Sequence, residues 1–314
     1  MYGQFFVLFA IVFTGYFFRK YNVINDEMNN GLNRFIVYFA YPCMIVHNIG
    51  TLDVTGPLLK GFIMTFLISL AMFFIYAVFT KLYGRARSFP ENGNVAEFAM
   101  ASPKNGFMGF PVALIFFGET GLLYMLAHNA AMNFFFFTYG ISLLRRNNPD
   151  REKTTVKGVI KGFLKVILNP NILGLFIGFA ICLLGIPFEG GPVDTYLTYI
   201  GNVATPMAMI FIGSSLVNCS FKDIIKDRLV IESVLGKLIY TPILTYLAVA
   251  FLPLGELMKS IVVLGACFPV AATVSMLAEQ EGQDQELSSK CLFLSTVLSM
   301  ATIPLSISLI NLLI

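Results

Sequence analysis

Charge is what this chain has least of. Aspartate, glutamate, lysine and arginine together make up 12% of its 314 residues, about half of the ~25% usual in a soluble globular domain. Hydrophobic residues make up 57%. That composition excludes a water-soluble fold and implies a polytopic membrane protein lying almost wholly in the bilayer. Tryptophan is absent, and His47 and His128 are the only histidines, too little material for a haem or a histidine-built metal centre. The five cysteines, Cys43, Cys182, Cys219, Cys267 and Cys291, form no CxxC pair or metal-ligand spacing. They read as small buried hydrophobes, so neither a metal nor any other cofactor is expected. The sequence also lacks a phosphate-binding glycine loop, an HExxH and a nucleophile elbow. It is not read as an enzyme, and nucleic acid is not read as a partner.

What the chain does have is long apolar runs. A helical span takes about 20 mainly apolar residues. Ten are read here, at 4–21, 31–50, 59–82, 95–118, 121–144, 166–186, 196–217, 229–252, 258–279 and 289–313. The first run lacks a basic leader and ends on Arg19-Lys20, so it reads as a retained span and not a cleaved signal peptide. Of the 21 lysines and arginines, 17 fall in the odd-numbered loops, seven of them between Arg145 and Lys165. The positive-inside rule places those loops in the cytoplasm and both termini outside a cytoplasmic membrane. Within the long loop, Lys157, Lys161 and Lys165 recur every fourth residue. Two readings stay open for this stretch: an interfacial helix along the inner leaflet and an ordinary basic loop.

The loop divides the chain into a first five-helix half, 1–145, a cytoplasmic linker, 146–165, and a second five-helix half, 166–314. Phe110-Pro111-Val112-Ala113 returns as Phe268-Pro269-Val270-Ala271, and Pro42 in span 2 is matched by Pro206 in span 7. Five is odd, so the second half enters the bilayer from the opposite side. The expected fold is all-α and integral to the membrane, with ten transmembrane helices as two inverted five-helix repeats and broken, crossing helices 4 and 9. A proline in mid-span removes an N–H and crowds the carbonyl one turn back. The freed groups survive in a membrane only inside protein or beside a water-filled cavity, which points to a midplane binding site.

At the first break, Lys104, Asn105, Gly106, Gly109, Phe110, Pro111 and Val112 are the candidate site residues. At the second they are Cys267, Pro269, Val270 and Ala271. The N–H groups that restart each half-helix, with the helix dipole, suit a carboxylate. Gly106 and Gly109 are expected to supply unusual dihedrals or a close backbone approach, and Asn105 a further donor or a partner for freed carbonyls. Lys104 lies about 10 Å along a helix from Pro111. It is read either as the charge that attracts the anion or occupies a cation's place, or as a snorkelling side chain. Asn129 and Asn133, with His128, form a polar stripe that lines a cavity or bonds a neighbouring helix. Thr273 and Ser275 follow the second break and are further candidates. Glu279 and Glu281 are expected on a solvated loop, His47 at the outer interface against water, and Lys237 paired elsewhere than with Glu232.

Asn105-Gly106-Phe107-Met108-Gly109-Phe110-Pro111, Phe117-Gly118-Glu119-Thr120-Gly121, Pro269-Val270-Ala271-Ala272 and Leu294-Ser295-Thr296 through Ile303-Pro304 resemble the auxin efflux carrier family of permeases. Gly15-Tyr16-Phe17-Phe18-Arg19-Lys20 and Tyr41-Pro42 fit as well. The resemblance runs the whole length and is nearest the prokaryotic branch with its malate-type organic acid permeases. It implies a scaffold of spans 1, 2, 6 and 7 beside a mobile domain of spans 3–5 and 8–10, with a carboxylate bound at the crossing. Lys104 departs from the family pattern, which puts a sodium site at that break in doubt. The function expected is alternating-access transport of small carboxylate anions, with H+ or Na+ as candidate coupling ions and a homodimer as a candidate assembly. The alternatives are a sodium-coupled carrier for a bulkier amphipathic anion, as in the related bile acid symporters, and a non-transporting membrane receptor. No appended soluble domain is expected from this sequence, which favours transport over sensing.

Overall fold

The computed structural model describes residues 2–52, 56–90, 93–146, 164, 167–217, 224 and 226–313. Almost all of the basic loop, and the interfacial helix read there, lies outside the described residues. Among those described, every regular element is helical, and the one extended feature is an isolated antiparallel bridge between Pro103 and Val270. Among the described residues, five helices are long and apolar enough to cross a bilayer: Gly56–Ala86, Asn105–Leu144, Pro192–Ser215, Arg228–Ala250 and Gln285–Leu313.

The elements run α1 (Tyr2–Lys20), α2 (Asp26–Phe35), α3 (Tyr41–Gly50), α4 (Gly56–Ala86), α5 (Asn94–Ala101), α6 (Phe110–Phe135) and α7 (Ile141–Leu144). They continue with α8 (Pro170–Leu183), α9 (Pro192–Asn202), α10 (Ala204–Ser215), α11 (Arg228–Leu235), α12 (Thr241–Ala250), α13 (Glu256–Cys267), α14 (Ala272–Gln280) and α15 (Gln285–Leu313). α6 is bent at Gly118, whose φ of 67° and ψ of −164° no helix allows; the joint read between spans 4 and 5 falls there.

Among the described residues four π-helical turns interrupt the α-helices, and three come just before a proline. Ile36–Ala40 precedes Pro42, Asn105–Gly109 precedes Pro111, and Gly236–Tyr240 precedes Pro242. A π-turn adds one residue to the helical circuit, which moves the carbonyl that the proline ring would otherwise strike. The helix therefore continues through each proline. This corrects the break expected at Pro111: the chain is helical from Asn105 up to the bend at Gly118, and it leaves helix eight residues before Pro111, at Ser102-Pro103-Lys104. At Pro269 the break is real, between the end of α13 at Cys267 and the start of α14 at Ala272. The two Phe-Pro-Val-Ala tetrapeptides thus mark different features, and Pro103, not Pro111, is the counterpart of Pro269.

The chain divides into two compact units. The first comprises Met1–Ile63, Phe110–Leu126 and Ile167–Asn218. In it α1 lies against α10, and α3 against α8 and α9. The α1–α10 contact is backbone on backbone. A Cβ on Gly15 would lie 2.2 Å from the carbonyl oxygen of Ile210, and one on Gly213 would lie 1.8 Å from that of Val12. Small residues permit this approach in a membrane, where van der Waals contact holds helices together.

The second unit comprises Met64–Gly109, Ala127–Val166 and Cys219–Ile314. Its interior is aromatic, with Phe73, Tyr76, Phe98, Phe135, Phe136 and Phe268 fully buried. Among the described residues of this unit, three buried carboxylates are each held by an arginine. Glu97 accepts from Arg146 at 2.8 and 3.1 Å, and Glu281 from Arg145 at 2.7 and 2.9 Å. Glu232 accepts from Arg87 Nε at 2.9 Å and from the Tyr83 hydroxyl. Glu281, expected on a solvated loop, is therefore an interior ion-pair member, while Glu279 is exposed as expected.

Candidate functional site

The two broken stretches of the second unit meet. Ser102-Pro103-Lys104 and Pro269-Val270-Ala271 run antiparallel, Lys104 N donating to the Pro269 carbonyl at 2.7 Å and Ala271 N to that of Ser102 at 2.9 Å. In an unbroken helix the Val270 N–H would go to the carbonyl four residues back, that of Ala266. Here Val270 N donates to Ser295 Oγ at 3.0 Å, and the Ala266 carbonyl takes the Lys237 ammonium at 2.9 Å. Sequence alone did not single out Ser102, Ser295 or the Lys237 contact. The available signal was the run Ser102-Pro103-Lys104-Asn105-Gly106, whose residue types mark turns and not helix.

Beside this bridge, polar groups are buried and unmatched. Lys104 is 5% exposed. Its Nζ lies 5.8 Å from the centre of the Phe107 ring, a cation–π contact. Among the described residues no ion pair includes it. Ser102 Oγ and Asn105 Oδ1 are buried with no hydrogen-bond partner among the described residues. Each such group costs about 1–3 kcal/mol to leave unsatisfied. Gly106 and Phe107 are partly exposed while Ser102–Asn105 are buried, and nothing lies within 4 Å of where a Gly106 Cβ would stand. The helix that restarts at Asn105 leaves its first-turn N–H groups without carbonyls of their own. An ammonium, a hydroxyl and these N–H groups are all donors for a carboxylate. The Asn105 carbonyl adds an acceptor for a water or a protonated carboxyl.

The other candidates separate. Gly109 has helical dihedrals, φ −67° and ψ −44°, and Gly106 is not among the glycines of positive φ. The conformational freedom expected of the pair is unused; Gly106 supplies space instead. Phe110, Pro111 and Val112 are buried in the first unit, where Phe110 packs edge-to-face on Tyr41, ring centres 5.5 Å apart. Cys267 does not face the bridge: its thiol donates to the Val263 carbonyl at 3.2 Å, and the side chain lines an apolar cavity of about 140 Å3 with Pro242 and Leu309. Pro269, Val270 and Ala271 take part through their backbones. Asn129 and Asn133 are buried, and His128 beside them bonds Ser69 Oγ at 2.7 Å, a contact between helices. Thr273 is half-buried, and Ser275 meets Ser289 Oγ at 3.5 Å.

The first unit holds a polar feature of its own. His47, expected to meet only water, bonds Asp194 at 2.6 Å, and the second oxygen of that carboxylate accepts from Gly190 N at 2.9 Å. A cavity of about 130 Å3 opens there, lined by His47, Asn48, Thr198, Asn202 and Thr205.

Comparison with known proteins bears on what this arrangement handles. A family model described as "Membrane transport protein" matches residues 1–307. An uncharacterized transporter of Methanothermobacter thermautotrophicus is 24% identical over 298 residues, covering 94% of each chain. A provisionally named malonate transporter of Rhizobium meliloti is 29% identical over 306 residues, 94% of this chain and 91% of that one. The lysosomal cholesterol signaling protein of Mus musculus is 26% identical over 321 residues, which cover 93% of this chain and 35% of the mouse protein.

Proposed function

We propose that the chain, which belongs to the membrane transport protein family, the family of the auxin efflux carriers, is a secondary carrier of small carboxylate anions. Its family is one of membrane transporters and not enzymes, and the Methanothermobacter and Rhizobium relatives are named as transporters. The observation that carries the substrate reading is the buried Lys104 ammonium, without a carboxylate among the described residues and next to Ser102 Oγ and Asn105 Oδ1, which have no hydrogen-bond partner there; the Asn105 amide nitrogen donates to Met132 Sδ at 3.5 Å. Burying a lone cation in a membrane protein is costly, and an anionic substrate removes that cost when it binds. Malonate, the compound in one relative's name, is of the right class: small and acceptor-rich. The same ammonium opposes a sodium ion in that place, which weighs against the sodium-coupled alternative.

Alternating access would come from ten spans in two inverted repeats, with the first unit as scaffold and the second as the moving body. The grouping of α1–α3 with α8–α10, apart from α11–α15, supports that division. Reconstituted protein is expected to accumulate labelled malonate, or another small mono- or dicarboxylate from a panel, under an imposed proton or substrate gradient and without ATP. Absence of uptake for every carboxylate, at all sodium concentrations and pH values, would overturn the reading. The distribution of basic residues supports an orientation with 145–165 in the cytoplasm and both termini outside the cytoplasmic membrane. Cysteine labels in 145–165 should accordingly react only from the cytoplasmic side, and a label at Gly190 only from outside; the reverse pattern would overturn the orientation.

A further inference from the structure

We infer that Lys237 is a resident cation at the second helix break: its ammonium fills the place that a coupling sodium ion takes in carriers built on broken helices, so this protein works without sodium. The inference rests on the carrier reading above. It concerns a different lysine from the one assigned to the substrate.

In discontinuous-helix carriers, unwound carbonyls and the C-terminal ends of half-helices coordinate the coupling cation. α13 is such a half-helix. It ends at Cys267, and its last carbonyls carry the negative end of the helix dipole. The break deprives Ala266 of its helical donor, because Val270 N is diverted to Ser295. Lys237 Nζ sits there instead, 2.9 Å from the Ala266 carbonyl and 3.4 Å from Thr241 Oγ1. Both ligands are neutral oxygens, one carbonyl and one hydroxyl, the kinds of donor that hold an alkali ion. The Thr241 hydroxyl is itself fixed, donating to the Lys237 carbonyl at 2.7 Å. Thr245 Oγ1 donates to the Thr241 carbonyl at 2.6 Å and is bonded in turn to Tyr76.

The charge needs an explanation that helix capping does not give. Lys237 is fully buried, and no ion pair among the described residues includes it. Glu97, Glu232 and Glu281, the buried carboxylates among the described residues of its unit, are held by arginines. A neutral amide would satisfy the Ala266 carbonyl without the cost of burying a full charge. The π-turn Gly236–Tyr240 places the lysine in this interior position, and such turns recur at functional sites. Lys104 differs in that its ammonium has no oxygen partner among the described residues, only the Phe107 ring. One amine is spent on the protein's own carbonyl, and the other is open to an anion.

The test uses purified full-length protein, with thermal unfolding followed in sodium chloride and in choline chloride. Wild type should unfold at the same temperature in both. Lys237→Gln keeps a donor for the Ala266 carbonyl but removes the charge. It should gain a sodium-specific stabilisation of a few degrees, of the size expected for an ion bound at about tenfold over its dissociation constant. Lys237→Ala should respond likewise and covers the case in which the glutamine variant does not fold. Sodium-specific stabilisation of wild type would overturn the inference, as would folded Lys237 variants indifferent to sodium. Should both variants fail to fold, wild-type malonate uptake decides: equal rates in sodium and choline support the inference, and stimulation by sodium overturns it. A wild type that transports no carboxylate, yet gives the expected unfolding pattern, would count against the carrier reading alone.

Discussion

Carboxylate uptake by Lys104→Met should fall by roughly ten- to a hundredfold relative to wild type, at equal surface expression and with unchanged thermal stability. The size follows from the loss of a hydrogen bond to a charged group, about 1.5–3 kcal/mol, converted at ~1.4 kcal/mol per tenfold. Stability should hold because the amine has no protein carboxylate to leave behind among the described residues, so its removal orphans no buried charge. Lys104→Arg should retain part of the binding, since the guanidinium keeps the charge but is bulkier and holds its proton throughout. A snorkelling lysine would behave differently, tolerating methionine or glutamine with near-normal rates. Rates for these three variants at several pH values separate the two cases. Near-normal uptake by Lys104→Met would remove the lysine from the site.

Gly213→Ala should have a comparably large effect by an unrelated route. The added methyl would stand 1.8 Å from the Val12 carbonyl oxygen and 2.8 Å from Tyr16 N, both backbone atoms that cannot swing aside. α1 and α10 would have to separate along their length, at a cost of about 2–3 kcal/mol for overpacking. That corresponds to a fall in Tm of roughly 3–5 °C for a chain of this size. Gly31→Ala is the control: nothing lies within 4 Å of where its methyl would stand, and helix propensity favours alanine by up to about 1 kcal/mol. Thermal unfolding in detergent checks both, and an unchanged Tm for Gly213→Ala would refute the backbone contact.

Much of this molecule is written in single residues of its sequence. The scarcity of charge announced the membrane. The lone lysine at 104 marked the neighbourhood of the helix bridge, and the prolines marked strained helix. The sequence misled over which proline breaks a helix. Pro111 repeats the Phe-Pro-Val-Ala of Pro269, but the five residues Asn105–Gly109 before it form a π-turn that admits its ring. Whether a helix absorbs a proline or breaks at it depends on the hydrogen-bond register of the preceding turn, which residue identity does not reveal. Long-range partners were hidden for a similar reason. His47 and Asp194 are 147 residues apart, and Lys237 and Ala266 meet across two helices. Cys267 looked like a site residue by adjacency to Pro269, but the rotation of α13 turns it into an apolar cavity.

Substrate protection at Gly106 tests the central claim most directly. The position is partly exposed beside the bridge and has open space at its Cβ, so Gly106→Cys should fold. The five native cysteines are first replaced by serine or alanine, and the rate of modification by a thiol reagent is then measured with and without a transported carboxylate. Bound carboxylate should slow the reaction in proportion to its occupancy, while a non-transported anion of equal charge leaves it unchanged. A transported carboxylate that, at saturating concentration, leaves the labelling rate of Gly106→Cys untouched would contradict the placement of the substrate beside Lys104 and Asn105.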